Sequence, residues 1–189
     1  MTHPIKALSS YYRKHNILPY STIECMEYAM LSIYNEWIKI IIYCILFSFL
    51  GYAYQFWFVL AILYPLRWLS GGIHAKTFWG CFFSSLLVLA LLIFVSPVLP
   101  CYPGFYTFLL FLFGIGSLTH IPYTPAFRPI TNVRTIVILR CFYIGLLSMW
   151  LIILKTCSLP AEYVTIGYFT LFFQALQLYI PRKGENSHA

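Results

Sequence analysis

The sequence contains no aspartate, and all five of its acidic residues are glutamates: Glu24, Glu27, Glu36, Glu162 and Glu185. Charge of either sign is scarce, at 9% of the 189 residues against roughly a quarter in soluble domains. That excludes an ordinary water-soluble globule, and any carboxylate chemistry must fall on a glutamate or the chain terminus. The six cysteines (Cys25, Cys44, Cys81, Cys101, Cys141, Cys157) form no Cys-x-x-Cys or other metal-ligand spacing. A His-Glu-x-x-His pattern is also missing, which sets aside an intramembrane metalloprotease. No metal or other cofactor is expected. The twelve Lys and Arg outnumber the acids and leave a formal charge of +7, but they lie scattered between apolar stretches, so no nucleic-acid surface is expected. The Met-Thr-His-Pro-Ile-Lys start lacks the early apolar core of a signal peptide, so insertion is expected to depend on the first membrane helix.

What the chain does have is apolar length. Hydrophobic residues make up 61% of it, aromatics 20%, and the mean hydropathy is +0.79. At roughly 20 residues per crossing, such a chain reads as all-α and polytopic. Residues 1–33 are an amphipathic lead-in, with a short interfacial helix around 5–15 and a second helix starting near Ser21, capped by Ser21 and Glu24. Six spans are expected at about 34–50, 52–66, 78–95, 105–118, 136–154 and 163–180. Residues 34–180 would form a single membrane bundle, and 181–189 a tail. With the N-terminus inside, the cytoplasmic segments hold eleven basic residues, from Lys6 to Lys183, and the outer loops hold only Lys155. This bias follows the positive-inside rule and puts both termini in the cytoplasm.

Chemistry concentrates in one cytoplasmic connection, Arg67-Trp68-Leu69-Ser70-Gly71-Gly72-Ile73-His74-Ala75-Lys76-Thr77-Phe78-Trp79-Gly80-Cys81. The two glycines free the backbone for a turn. A thiol acts as a nucleophile through its thiolate, and histidine is the usual partner that takes its proton. On one straight helix, His74 and Cys81 would share a face but stand about 10 Å apart along the axis. A Cys–His pair therefore requires a bend between them, at Gly80 or in the Lys76-Thr77 stretch. Each residue also has an ordinary reading: Cys81 as a small packing residue, His74 as a solvated loop residue, Arg67 as a positive-inside signal, and the glycine pair as a plain turn.

Arg67, Gly72, His74, Ala75 and Cys81, at these spacings, resemble the signature of the accessory gene regulator protein B family. The size of the chain, its basic character and the place of the motif between the second and third spans are also similar. The resemblance implies a cysteine endopeptidase that processes a small quorum-sensing propeptide. In that scheme His74 is the general base and Cys81 the nucleophile, with Arg67, Gly71, Gly72 and Lys76 supporting the site or gripping substrate. It also implies a propeptide with an amphipathic helix and an acidic C-terminal tail, which Arg128, Arg134 and Arg140 would attract, and it is compatible with a homodimer.

The segment from His120 to Pro129 departs from many relatives, some of which carry an Asp near the place of Tyr123. A Cys–His dyad is the expectation, with Glu24 or Glu36 as weaker orienting candidates. Two other classes compete with the peptidase. A small transporter or channel would need buried charges or repeated broken helices, and the spans carry no such pattern. A non-catalytic scaffold would tolerate the loss of the Cys81 sulfur, which a peptidase would not.

Overall fold

Apolar runs in lipid must satisfy their backbone internally, and the computed structural model answers with helices throughout its described residues, 4–15, 19–71, 77–100, 102–121 and 132–179. The helices are α1 (Pro4–Lys14), α2 (Tyr20–Phe49), α3 (Ala53–Ser70), α4 (Phe78–Ala90), α5 (Pro103–Ser117), α6 (Val133–Thr156) and α7 (Ala161–Gln177). A π-turn at Leu91–Val95 and a 3-10 turn at Ser96–Val98 extend α4, and a 3-10 turn at Leu118–His120 extends α5. They fall into two compact units, Met1–Leu50 and Gly51–Ala189.

In the first unit, α1 packs along α2. The Arg13 guanidinium donates to Glu27 Oε2 at 3.2 Å and lies 5.0 Å over the Tyr20 ring, tying the two helices together. The helix entry differs from the expected Ser21–Glu24 box: α2 begins at Tyr20, behind Pro19, so Ser21 stands within the helix and not at its N-cap. Proline at that position presets the extended backbone (φ −56°, ψ 144°), so no side-chain cap is made. Farther along α2, Lys39 is only 3% exposed, and its Nζ donates to Glu36 Oε1 at 2.5 Å.

In the second unit α7 is the central helix. It packs on α3, on α5 and on the turns that close α4. Gln55 donates to Glu162 Oε1 at 3.0 Å near the starts of α3 and α7, and Gln174 donates to Ser70 Oγ at 2.7 Å near their ends, so the two run parallel. Helix α5 is also parallel to α7: the Thr107 and Tyr168 hydroxyls meet at 3.1 Å, and Tyr179 donates to the Phe113 carbonyl at 3.0 Å. Helix α6 packs on α3 and α7 and runs opposite to α5, with Arg140 Nε donating to the Ile121 carbonyl at 3.0 Å and Leu147 reaching Gly114. The core joins Ile62 and Leu66 of α3, Leu110 of α5, Tyr143 of α6 and Leu171 of α7. Buried Thr165 and Thr170 donate to the carbonyls of Ala161 and Ile166, one turn back, so their hydroxyls are satisfied inside α7 itself.

Helix α3 continues to Ser70, beyond the expected stop at residue 66, although Pro65 lies inside it. The buried face that includes Leu66 and Ser70 favours the extra turn, and Pro65 removes only one backbone donor. Among the described residues, three helical segments are long and apolar enough to cross a membrane: Thr22–Phe49, Phe78–Val98 and Val133–Thr156. Pro103–Ser117 is apolar but shorter.

Candidate active site

The motif segment begins where α3 ends. Arg67 sits half-buried in the last turn of α3, where a cation complements the helix carbonyls. Its own carbonyl accepts the Gly71 N–H at 2.9 Å. Gly71 has φ 78° and ψ −172°, a conformation in which a Cβ is strained, so glycine here has a specific reason. Ser70, fully buried, places its hydroxyl 2.8 Å from the Leu66 carbonyl and 3.0 Å from the Gly71 carbonyl.

The segment ends where α4 starts. Thr77 is extended (φ −115°, ψ 148°), and its Oγ1 accepts the Gly80 N–H at 3.1 Å, a standard N-cap. Cys81 closes the first turn, its N–H donating to the Thr77 carbonyl at 3.0 Å. The residue is 7% exposed, and Ser84 Oγ donates to its carbonyl at 3.1 Å. Trp79 and Phe83 stack with centroids 6.0 Å apart on the other face of α4, both exposed, so the thiol occupies the protected face.

Among the expected site residues, Arg67, Gly71 and Cys81 belong to the described part of the chain, with Arg67 and Gly71 bonded to each other at the end of α3 and Cys81 at the start of α4. Gly72, His74, Lys76 and Arg128 lie outside the described residues, as does Tyr123. The bend that a Cys–His pair needs has a definite location within the described residues. Gly80 is helical, and the departure from the helix is at Thr77, so His74 and Cys81 are not on one continuous helix. The 10 Å separation along a straight helix therefore does not apply. Three peptide steps separate His74 from Thr77, a tether of at most about 11 Å. Of the two glutamates weighed as orienting groups, Glu36 pairs with Lys39 and Glu24 is exposed. Among the described residues no group of three or more His, Cys, Asp or Glu is arranged to hold a metal ion.

Sequence reasoning missed a buried polar chain directly behind the turn. Gln177 donates to Gln174 Oε1, and Gln174 Nε2 donates to Ser70 Oγ at 2.7 Å. Gln174 and Ser70 are fully buried, and Gln177 is 6% exposed. The available signal was two glutamines one turn apart in the apolar run Phe172-Phe173-Gln174-Ala175-Leu176-Gln177. Amides in such a run mark helix contacts as surely as charges do.

The long apolar helices and the segment just described define a helical membrane protein. The family model described as Accessory gene regulator B matches residues 5–178. The chain belongs to that family, which is associated with agr quorum sensing. It is similar to an AgrB-like protein of Clostridium beijerinckii, 26% identical over 175 residues, which cover 92% of this chain and 85% of the relative. No solved structure matches.

Proposed function

We propose that the protein is a membrane-embedded cysteine endopeptidase that cleaves a small quorum-sensing propeptide and promotes its cyclisation. The observation that carries this reading is the setting of Cys81. It is a buried thiol in the first turn of a helix, just past a backbone break, with a histidine inside the connecting segment. A Cβ in a helix leans toward the N-terminus, so the Cys81 sulfur is directed toward the end where free N–H groups favour negative charge.

In the proposed reaction, His74 takes the Cys81 proton while the sulfur attacks the carbonyl of the scissile peptide bond. The same proton passes to the departing amine, which frees the propeptide's C-terminal tail and leaves an acyl thioester on Cys81. A thiol of the propeptide then attacks that thioester, forming a thiolactone and returning the Cys81 thiol. A propeptide hydroxyl would give a lactone by the same route. The exchange between thioesters is nearly balanced in energy, so keeping water away from the buried sulfur protects the intermediate from hydrolysis. Arg67, Gly71, Gly72 and Lys76 shape or grip at the turn. Arg128 faces the propeptide's acidic tail while its amphipathic helix lies in the inner membrane interface. Six spans with both termini cytoplasmic would put the motif on the inner face, in keeping with the loop charges.

The test is thiol labelling of Cys81 in native membranes across the pH range in which histidine titrates, comparing wild type with His74→Ala. The expected result is faster labelling of Cys81 than of the other cysteines at neutral pH, lost in His74→Ala. Equal labelling in both would sink the dyad. Cys81→Ser should abolish propeptide cleavage, whereas a transporter or scaffold would keep its function.

A further inference from the structure

We infer that Gln174 is a positioning residue for the motif turn, acting through Ser70. The inference rests on the peptidase reading and adds to it a group on a helix distant in sequence. Helix α7 meets α3 along a mostly apolar seam, where a leucine would pack without giving up any hydration. The seam instead carries two buried glutamines, and the chain they form ends on Ser70, the last helical residue before the turn. A burial cost is accepted at the level of the seam that abuts the site, as it is at the opposite end, where Gln55 meets Glu162.

The donors and acceptors are ordered. Gln177 donates to Gln174 Oε1, which turns the Gln174 amide nitrogen toward α3. That nitrogen donates to Ser70 Oγ at 2.7 Å, so the Ser70 hydroxyl accepts there and directs its own proton to the carbonyl of Leu66 or Gly71. The Gly71 carbonyl is the point from which the chain leaves for His74. Anchoring it limits the rotation of a glycine already held at φ 78°. Without the anchor, the glycine pair would let the turn sample many conformations, and few of them would present His74 to Cys81.

The test uses full-length protein in lipid vesicles, with iodoacetamide as the thiol probe. Wild type, Gln174→Leu, Ser70→Ala and Ser70→Thr are each made with and without His74→Ala. Two quantities are read: alkylation of Cys81 at neutral pH, and hydrogen exchange of the peptide covering the turn relative to a peptide from α6. In Gln174→Leu and Ser70→Ala, alkylation should fall on the order of ten-fold, the scale of one lost buried hydrogen bond. Adding His74→Ala should then cost nothing further, and exchange in the turn should rise. Ser70→Thr, which keeps the hydroxyl, should behave as wild type. If Gln174→Leu raises exchange but leaves alkylation dependent on His74, the chain only glues α7 to α3, and the inference fails while the dyad stands. If neither quantity moves, it fails too. If His74→Ala has no effect in the wild-type background, the peptidase reading itself falls and takes the inference with it. Ser70→Ala approaches the same contact from α3, so poor folding of the α7 variant leaves the question decidable.

Discussion

Gly71 and Gly51 offer a matched pair of perturbations, because they stand at opposite ends of α3 with nearly equal positive φ, 78° and 80°. Alanine at either position must hold a left-handed backbone, costing roughly 1–2 kcal/mol, and at Gly71 up to about 3 because ψ is near 180°. Reduced freedom of the unfolded chain returns about 0.4–1 kcal/mol. The net loss is about 0–1.6 kcal/mol at Gly51 and up to about 2.6 kcal/mol at Gly71, or a drop in thermal midpoint of up to about 6 °C and about 10 °C for a chain of this size. No side chain obstructs a Cβ at Gly51, so strain alone acts there. Both variants should therefore lower the thermal midpoint, Gly71→Ala by as much or more, and only Gly71→Ala should act at the site. Gly71→Ala either keeps its strained turn or relieves the strain by rotating the segment that carries His74. A misplacement worth about 1.4 kcal/mol slows Cys81 chemistry about ten-fold. The assay is Cys81 alkylation at neutral pH beside thermal unfolding in detergent. Gly51→Ala should lower the midpoint and leave alkylation unchanged, whereas Gly71→Ala should lower both. Equal alkylation in the two variants would refute the coupling of the turn to the thiol.

Three further outcomes are expected. At Gly167 an added Cβ would meet Leu154 Cδ2 at 2.5 Å, so overpacking of about 1–3 kcal/mol outweighs the roughly 1 kcal/mol of helix propensity that alanine gains. Combining Gly167→Ala with Leu154→Ala should cost less than the sum of the two, read by denaturation in detergent. Cys157 is exposed just beyond α6; with six spans and an inner N-terminus it faces outward, so a membrane-impermeant maleimide should label it on intact cells and reach Cys81 only after permeabilisation. Arg13→Gln should lower stability by no more than about 1 kcal/mol, because the partner salt bridge is partly exposed; a larger loss by thermal unfolding would give the α1–α2 link more weight than its geometry supports.

Several elements could be read from hydropathy and turn chemistry. The lead-in helix α1, the long α2, and the breaks near Gly51, Gly71 and Ser96-Pro97 follow from local signals that act over a few residues. The capping box at Ser21 was misread because Pro19, two residues earlier, sets the entry to α2 before a side chain can. The overrun of α3 past Pro65 depends on burial against α7, a long-range contact that no local pattern encodes. At the site, the spacing from Arg67 to Cys81 marked the segment, and the glycine turn was visible as a glycine pair. The location of the bend was not, since Thr77 and Gly80 both fit a helix start until the Thr77 Oγ1 contact places the cap.

The larger omission was which helices form the centre, and its cause is the solvent. A helix facing lipid must be apolar around most of its circumference, so it stands out in any hydropathy reading. A helix surrounded by protein can carry hydroxyls, amides and glycines, because neighbouring groups satisfy or fill them. The two most evident membrane segments of the second unit, Phe78–Val98 and Val133–Thr156, are accordingly little buried, at 28% and 6% of their apolar windows. Helix α7 has threonines, two glutamines and a glycine on its buried face and is not one of them. Within the second unit, strong hydropathy marks the shell, and the polar residues tolerated in weaker spans mark the core. Helix α7 is both the centre of its unit and the source of the polar chain that ends on Ser70 at the motif turn. The residues that lower its hydropathy are thus the ones that join the core to the proposed chemistry.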